Sequence, residues 1–161
     1  MQEKDLRICL LGDFRLLDGA DACDEHLHSV HTARLQALLA YLVLHRQAPQ
    51  ARQHLAFLFW PDTSEAQALT NLRNLLHKLR QALPEPDCFL EANTQTVQWR
   101  ADAPFTFDVA DFERSLAQAP TCTTLAQAVQ LYCGDLLPSC YDDWILPERE
   151  RLRQAFLSAL E

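Results

Sequence analysis

The segment from residue 64 to 83 constrains the fold of this chain most, because it reads as one long, well-delimited amphipathic helix. Ser64, followed by Gln67 three residues later, forms the capping-box pattern of a helix start, and Pro84 ends the helix. Leucines recur along the segment at helical spacing, which predicts one buried stripe. The predicted stripe consists of Leu69, Leu72, Leu75, Leu76, Leu79 and Leu83.

The opposite face of this segment is polar and, after Glu65, contains no acidic residue. At about 100° per residue, the side chains facing away from the stripe are Gln67, Thr70, Asn74, His77 and Gln81, with Arg73 and Arg80 along one edge and Asn71 and Lys78 along the other. Amides pair with adenine edges, and cations pair with guanine edges or phosphates. A solvated helix face usually mixes acids with bases, so this face favours contact with nucleic acid. The stem of Arg80 has an alternative role, in bracing a neighbouring element.

The segments around the long helix complete an arrangement known from DNA-binding proteins. Apolar residues at helical spacing follow Thr32, a favourable N-cap, and a second, short helix is predicted over 51–59. The four residues PDTS join this helix to the long one, and residues 88–100 read as a β-hairpin. Two helices joined by a tight turn and followed by a hairpin predict a winged helix-turn-helix.

The start of the chain reads as strands, not as a targeting signal. Residues 6–12 and 14–19 are short apolar runs, and Asp18-Gly19 is a favourable turn pair, which predicts a hairpin. The first residues have neither a cationic leader nor a long apolar run, so we expect neither a signal peptide nor a membrane anchor. A cytoplasmic location is therefore predicted.

The part of the chain beyond the hairpin is predicted to be mostly helical. The run APFTFD is expected to be a non-helical connector. Three helices are predicted after it, one following Asp108 with Val109, Phe112 and Leu116 inward, one over about 124–133 capped by Gly134, and one from near Pro147 with Leu152, Phe156, Ala159 and Leu160 inward.

Charge is distributed unevenly between these parts. The net charge of the 161-residue chain is -8, which by itself argues against a nucleic-acid partner. Residues 26–83, however, hold six Lys and Arg against two acids, a net of +4, whereas residues 101–161 hold four against ten, a net of -6. This asymmetry indicates two modules with different partners.

Several motifs within these segments carry a family resemblance. The run from ARLQALLAYLVLH to NLRNLLHKLRQAL resembles the OmpR-type winged helix of SARP-class bacterial transcriptional activators. The later stretch, from DVADFERSL to RQAFLSALE, resembles the start of the bacterial transcriptional activator domain (BTAD) that follows it in that class. The most specific pieces are LLAYLVLH, FLFWPD, LRxxLxxLR, LYxGDLLP and DDWxxxERxRLR.

The resemblance implies an α+β fold in two parts. Residues 1–103 would form a winged helix-turn-helix with an N-terminal antiparallel sheet, three helices and a β-hairpin wing. Residues 104–161 would form the N-terminal part of an all-α, tetratricopeptide-like BTAD. That domain is a longer helical array in the family, so we expect this chain to be a fragment or a short member.

The resemblance also implies function. It places the 64–83 helix in the major groove of double-stranded promoter DNA, at direct-repeat sites occupied by head-to-tail protomers, with recruitment of RNA polymerase. Family contacts in the last two helical turns fall on Asn74, His77, Lys78 and Arg80. The loop offered to polymerase corresponds to Trp60, Pro61, Asp62 and Thr63. The predicted DNA-contacting set is Thr70, Asn71, Arg73, Asn74, His77, Lys78 and Arg80 on the helix, with Thr94, Thr96 and Arg100 in the wing.

Alternatives remain beside this hypothesis. A plain hairpin turn explains the wing residues almost as well as a DNA contact does. The pattern formed by Cys23, His26, His28 and His31 contains zinc-ligand types at a non-standard spacing, so a metal-responsive regulator is a weaker alternative and no metal is assigned. A non-enzymatic adaptor that binds partners through its helical module is the other alternative.

The remaining side chains suggest neither catalysis nor a cofactor. The six scattered cysteines form no CxxC pair and are interpreted as free thiols. No serine lies in a G-x-S-x-G motif, and no Gly-rich loop is present to cradle phosphates. We therefore expect no enzymatic activity and no cofactor.

Overall fold

A computed structural model describes residues 6–18, 25–26, 32–118 and 121–161 of the chain. The chain divides into two compact units. We call His28–Pro104 the central unit, and Met1–Leu27 together with Phe105–Glu161 the terminal unit. This grouping in space is not linear along the chain, because strands near the beginning pack with helices near the end. The ranges 1–103 and 104–161 remain a prediction about domains.

Short strands and helices follow one another mostly in groups along the described residues. In chain order they are β1 (Leu6–Cys9), β2 (Arg15–Asp18), β3 (Glu25–His26), α1 (Ala33–Leu44), β4 (Gln50–Ala51), α2 (Arg52–Phe59), α3 (Glu65–Ala82), α4 (Pro86–Phe89), β5 (Leu90–Ala92), β6 (Thr96–Trp99), β7 (Phe105–Phe107), α5 (Asp108–Ala117), α6 (Cys122–Leu131), a 3-10 turn (Asp143–Ile145) and α7 (Leu146–Leu160).

The central unit contains α1, α2 and α3 where helices were predicted, and α1 and α3 begin at the predicted caps. The Thr32 hydroxyl accepts from the Leu35 N–H at the start of α1, and the Ser64 hydroxyl accepts from the Gln67 N–H at the start of α3. Only the Ser64 half of the predicted capping box is seen, because the Gln67 side chain donates to Asn71 Oδ1 at 2.9 Å instead.

The buried stripe of α3 differs from the prediction at its first turn. Ala68 is buried there, whereas Leu69 is only half-buried. From Leu72 onward the predicted leucines are all buried. The exposed face of α3 therefore follows the predicted spacing through the rest of the helix.

The predicted hairpin of the central unit is part of a three-stranded antiparallel sheet in the order β4-β6-β5. Val97 and Trp99 are buried on one face, as predicted, and Trp99 stacks on Phe89 with ring centroids 5.4 Å apart. Cys88 and Phe89 lie in α4, so the prediction of a strand from residue 88 was wrong. Pro86 at the start of α4 favours a helical turn over a strand there.

The terminal unit is built on a mixed sheet in the order β3-β2-β1-β7. Its first three strands are antiparallel, but β7 runs parallel to β1, with Leu6 opposite Phe105 and Ile8 opposite Phe107. The N-terminal strands are antiparallel as expected, and the prediction that APFTFD is a non-helical connector is corrected, because it contains the strand β7. Three residues of alternation are too few to be distinguished from a connector by pattern alone.

The helices of the terminal unit occupy the predicted regions with shifted ends. Val109, Phe112 and Leu152 are buried as predicted, whereas Leu160 is 56% exposed, contrary to prediction. Helix α6 begins at a capping box between Thr121 and Thr124 and ends at Leu131, with Tyr132 and not Gly134 as its C-cap.

Gly134 has a packing role instead of the predicted capping role. A Cβ atom added at Gly134 would lie 3.1 Å from the Cα atom of Gly12, so the two glycines allow a close approach of two backbone segments.

One carboxylate joins the sheet of the terminal unit to its helices. Asp108, the first residue of α5, accepts hydrogen bonds from the N–H groups of Leu10 at 2.9 Å, Leu11 at 2.8 Å and Val109 at 2.9 Å. Burial raises the pKa of Asp108 above its usual value, and the three donors oppose the rise. Asp108 therefore satisfies backbone donors where β1 ends.

A half-buried guanidinium plays the matching role for backbone acceptors. Arg149 donates to the carbonyl groups of Leu136 at 2.9 Å, Leu137 at 2.7 Å and Cys140 at 2.8 Å. Leu137 has a left-handed φ of 39°, and its N–H donates to the Leu10 carbonyl at 2.8 Å. Arg149 thus fixes the loop that connects α6 to α7.

We expect Asp108→Ala to lower the free energy of unfolding by about 1–3 kcal/mol, because it leaves partly buried N–H groups unpaired. Urea titration followed by circular dichroism measures the change. Asp111→Ala, which removes a more exposed carboxylate one turn later, is the matched control and should cost less than about 1 kcal/mol. Equal effects of the two substitutions would contradict the role of Asp108.

Candidate nucleic-acid interface

The polar face of α3 lies at the surface of the central unit. Its exposed side chains are Gln67, Thr70, Arg73, Asn74, His77, Lys78 and Gln81, while Asn71 and Arg80 are half-buried. The Thr70 hydroxyl donates to the Ala66 carbonyl at 3.0 Å, within the helix. No acidic side chain interrupts the face between Glu65 and the end of α3. The face therefore presents amides, an imidazole and cations to solvent.

Two of the predicted contact residues are engaged inside the central unit. Arg80 forms an ion pair with Asp87 in α4. Arg100 donates from Nε to the Asp87 carbonyl at 3.1 Å, and its N–H donates to the Phe89 carbonyl at 2.7 Å. Both cations hold α4 and the base of the hairpin, which agrees with the alternative of Arg80 as a brace.

The tip of the hairpin is a compact turn organised by one side chain. Asn93 Oδ1 accepts from the N–H groups of Gln95 and Thr96, both at 2.8 Å. Thr94 is exposed at the tip, and Thr96 is half-buried at the start of β6. The predicted wing residues Thr94 and Thr96 thus lie close in sequence but differ in access to a ligand.

Arg52 is a further cation of this region, and no sequence pattern pointed to it. As the first residue of α2, it donates from its N–H to the Gln95 carbonyl at 2.9 Å and from Nε to the Asn93 carbonyl at 2.9 Å. Burial and the positive charge of Arg73 lower the pKa of Arg52. Arg52 therefore ties α2 to the wing tip and lies near the cationic edge of α3.

The predicted polymerase loop is a tight turn between α2 and α3. Pro61, Asp62 and Thr63 are exposed, and the Thr63 hydroxyl donates to the Trp60 carbonyl at 3.1 Å. Trp60 is half-buried, with the guanidinium of Arg34 5.7 Å from its ring centroid.

A groove of about 410 Å³ adjoins this loop. Its rim includes Phe57, which is 68% exposed and was not selected from sequence. Trp60, Pro61 and Glu65 also line the groove, so it combines apolar surface with a carboxylate.

The candidate zinc set falls largely outside the described residues. Cys23, His28 and His31 lie there, and His26 is described only as part of β3. Within the described residues, no group of His, Cys, Asp and Glu is placed to hold a metal ion. None of the five described cysteines, Cys9, Cys88, Cys122, Cys133 and Cys140, is in a disulfide.

Comparisons with known proteins bear on the fold alone. No protein-family model and no curated protein matches the chain. Among solved structures, the chain resembles EmbR of Mycobacterium tuberculosis, determined in complex with a low affinity phosphopeptide, with a TM-score of 0.76 and 19% identity. The match covers 99% of this chain and 44% of the EmbR chain, so this chain spans less than half of that protein. The chain therefore shares the fold of one part of EmbR.

Among the described residues, every helix is too short or too polar to span a bilayer.

We expect Arg80→Ala and Asp87→Ala each to lower the free energy of unfolding by less than about 1 kcal/mol, because the ion pair is largely exposed. A double-mutant cycle by thermal or urea unfolding should give a coupling of a few tenths of a kcal/mol. Arg114→Ala, which removes an exposed arginine of the terminal unit, provides the reference. Zero coupling would show that Arg80 does not brace α4.

Proposed function

We propose that this protein is a cytoplasmic, sequence-specific DNA-binding transcriptional activator of the SARP kind, without enzymatic activity. The observation that carries the proposal is the exposed face of α3, which lacks acids after Glu65 and belongs to the same unit as a three-stranded wing. This is the arrangement of a recognition helix and its wing in winged helix-turn-helix proteins. The fold shared with EmbR supports the architecture.

The exposed residues of α3 divide by chemistry into two groups. Asn74, His77 and Lys78 are exposed in its last turns and suit base edges in the major groove. Arg73 suits a phosphate, and Thr70 and Asn71 add polar contacts nearer the start of the helix. We assign Thr94 and Thr96 to the DNA backbone or minor groove. Arg80 and Arg100 contribute by positioning the wing, through Asp87.

The loop from Trp60 to Thr63 is our candidate for contact with RNA polymerase. The adjoining groove and the exposed Phe57 provide apolar surface. Protein–protein interfaces are commonly anchored by a few aromatic side chains of this kind. A partner bound there would leave the face of α3 to DNA. In this proposal two protomers bind a direct repeat head to tail, and residues 104–161 form the start of a BTAD.

The adaptor alternative, in which the helical module binds a partner and the winged helix is only a scaffold, stays open. Such an adaptor would not need the polar face of α3. Binding to DNA therefore separates the two functions.

We expect the wild-type protein to bind duplex DNA with an affinity that falls as salt rises, at a log–log slope of about -0.9 for each phosphate neutralised. Replacing Asn74, His77 and Lys78 together with alanine should weaken binding at least tenfold, because exposed groups that meet the bases are removed. Fluorescence anisotropy with direct-repeat promoter fragments at several salt concentrations measures both quantities.

A matched control replaces Gln154, Arg114 and Ser158, which are polar side chains of the terminal unit, with alanine. This variant should bind DNA as the wild type does. Unchanged binding by the α3 variant, with its helical circular dichroism intact, would exclude α3 as the reading element.

We expect Phe57→Ala and Asp62→Ala to leave DNA affinity unchanged and to reduce activated transcription severalfold in a purified system with RNA polymerase. Phe57 and Asp62 are exposed, so the fold should tolerate both changes. His54→Ala, at an exposed residue of α2 that does not line the groove, is the control for general damage to α2. Full activation by the Phe57 and Asp62 variants would show that the loop does not contact the polymerase.

A further inference from the structure

The groove between α2 and α3 is large enough for a small organic molecule. Its volume is about 410 Å³, and its described lining residues all belong to the central unit. Sites that hold small ligands commonly measure roughly 300–1,000 Å³. Helix α2 supplies Ala56 and Phe57, the turn supplies Trp60, and α3 supplies Glu65 and Ala68. A ligand in the groove would therefore contact both helices and the turn that joins them.

The apolar part of the groove is open because two of its side chains are small. Ala56 and Ala68 are both buried, and neither side chain extends beyond Cβ. Phe57 is largely exposed at the rim. The guanidinium of Arg34 lies over the Trp60 ring, 5.7 Å from its centroid, and helps to hold that ring in place. The floor and rim of the groove therefore suit the hydrocarbon or aromatic body of a ligand.

Glu65 is the single charged side chain among the described residues that line the groove. It is exposed, and no ion pair within the described residues includes it. As the first residue of α3, Glu65 interacts favourably with the positive end of the helix dipole. A carboxylate offers about four acceptor positions, so this interaction does not exhaust them. Glu65 can therefore also accept hydrogen bonds from a bound cation.

These features together select an ammonium ion that carries an apolar body. A carboxylate attracts a cation more strongly beside apolar groups, where less water screens the charges, than in bulk water. Aromatic rings such as those of Phe57 and Trp60 also attract ammonium groups. An anion is disfavoured, because no Lys, Arg or His is among the described lining residues. An uncharged ligand would leave Glu65 unused.

We propose that the groove binds a small organic amine in its ammonium form, with the charge at Glu65 and the apolar body against Ala56, Phe57 and Trp60. A bound amine would cover the apolar surface that the polymerase contact needs. It would therefore lower activation without lowering the affinity for DNA. This regulatory role rests on the proposed function, whereas the binding site itself does not.

NMR titration of the isotope-labelled full chain with 2-phenylethylamine tests the site, and 2-phenylethanol is the uncharged probe of similar shape. The amine should cause saturable shifts of the Trp60 indole N–H and of the Ala56 and Ala68 amides, with a Kd of about 1 mM. The alcohol should bind about three- to tenfold more weakly, because it lacks the charge-assisted hydrogen bond to Glu65.

Two variants separate the charge from the apolar surface. Glu65→Gln should weaken binding of the amine about three- to tenfold and leave binding of the alcohol unchanged. Phe57→Ala should weaken both probes by a similar factor, since it removes only apolar contact. Glu91→Gln, which removes an exposed carboxylate of β5, is the matched control and should change neither affinity. Circular dichroism checks that the helices are intact in each variant.

Several results would overturn the site. Equal binding of the two probes to the wild type would show that the charge is not recognised, as expected of a groove that takes only an apolar side chain of a protein. An amine affinity that is unchanged in folded Glu65→Gln would show the same. Shifts confined to residues outside the groove, or no saturable shifts, would show that the amine does not bind there.

Transcription with purified RNA polymerase tests the regulatory role. Added 2-phenylethylamine should lower activation severalfold for the wild type, lower it much less for Glu65→Gln, and leave anisotropy with promoter DNA unchanged. Binding in the groove with unaltered activation would overturn the regulatory role alone. If the protein neither binds DNA nor activates transcription, the proposed function is wrong, whereas probe shifts in the groove would still support the site.

Discussion

Burial of the leucine stripe of α3 decides which side chains of the central unit reach a ligand. Leu72, Leu76 and Leu79 are nearly or fully buried, and each contributes roughly 1.5–3 kcal/mol relative to an exposed position. Rotation of α3 about its axis would expose these leucines, so the orientation of its polar face is fixed by the core. The proposed DNA contacts require no special backbone geometry, since they follow from the side of the helix that the core leaves free.

Much of this arrangement was accessible from the sequence because it depends on local signals. The caps at Thr32 and Ser64, the buried spacing of α3 and the burial of Val97 and Trp99 all follow from patterns a few residues long. The parallel strand β7 was missed because its partner, β1, lies about 100 residues away. Arg52 was missed for the same reason, since its bonds to Asn93 and Gln95 depend on the pairing of β4 with β6.

Arg80 shows that a tertiary contact can engage a side chain that helical spacing places on an exposed face. Arg80 falls on the edge of the polar face by spacing, yet its guanidinium meets Asp87 in α4. The net charge of a segment likewise does not reveal which cations are available. In the central unit, Arg73 and Lys78 are exposed. Arg80 and Arg100 instead contact Asp87, at the base of the hairpin.

NMR mapping on the full chain decides whether α3 contacts DNA. Isotope-labelled protein is titrated with a direct-repeat duplex, and amide shifts are followed along the sequence. We expect the largest changes on the exposed face of α3, from Thr70 to Lys78, and at the wing tip around Thr94. Changes confined to the terminal unit or to the groove beside Phe57, with α3 unaffected, would contradict this contact.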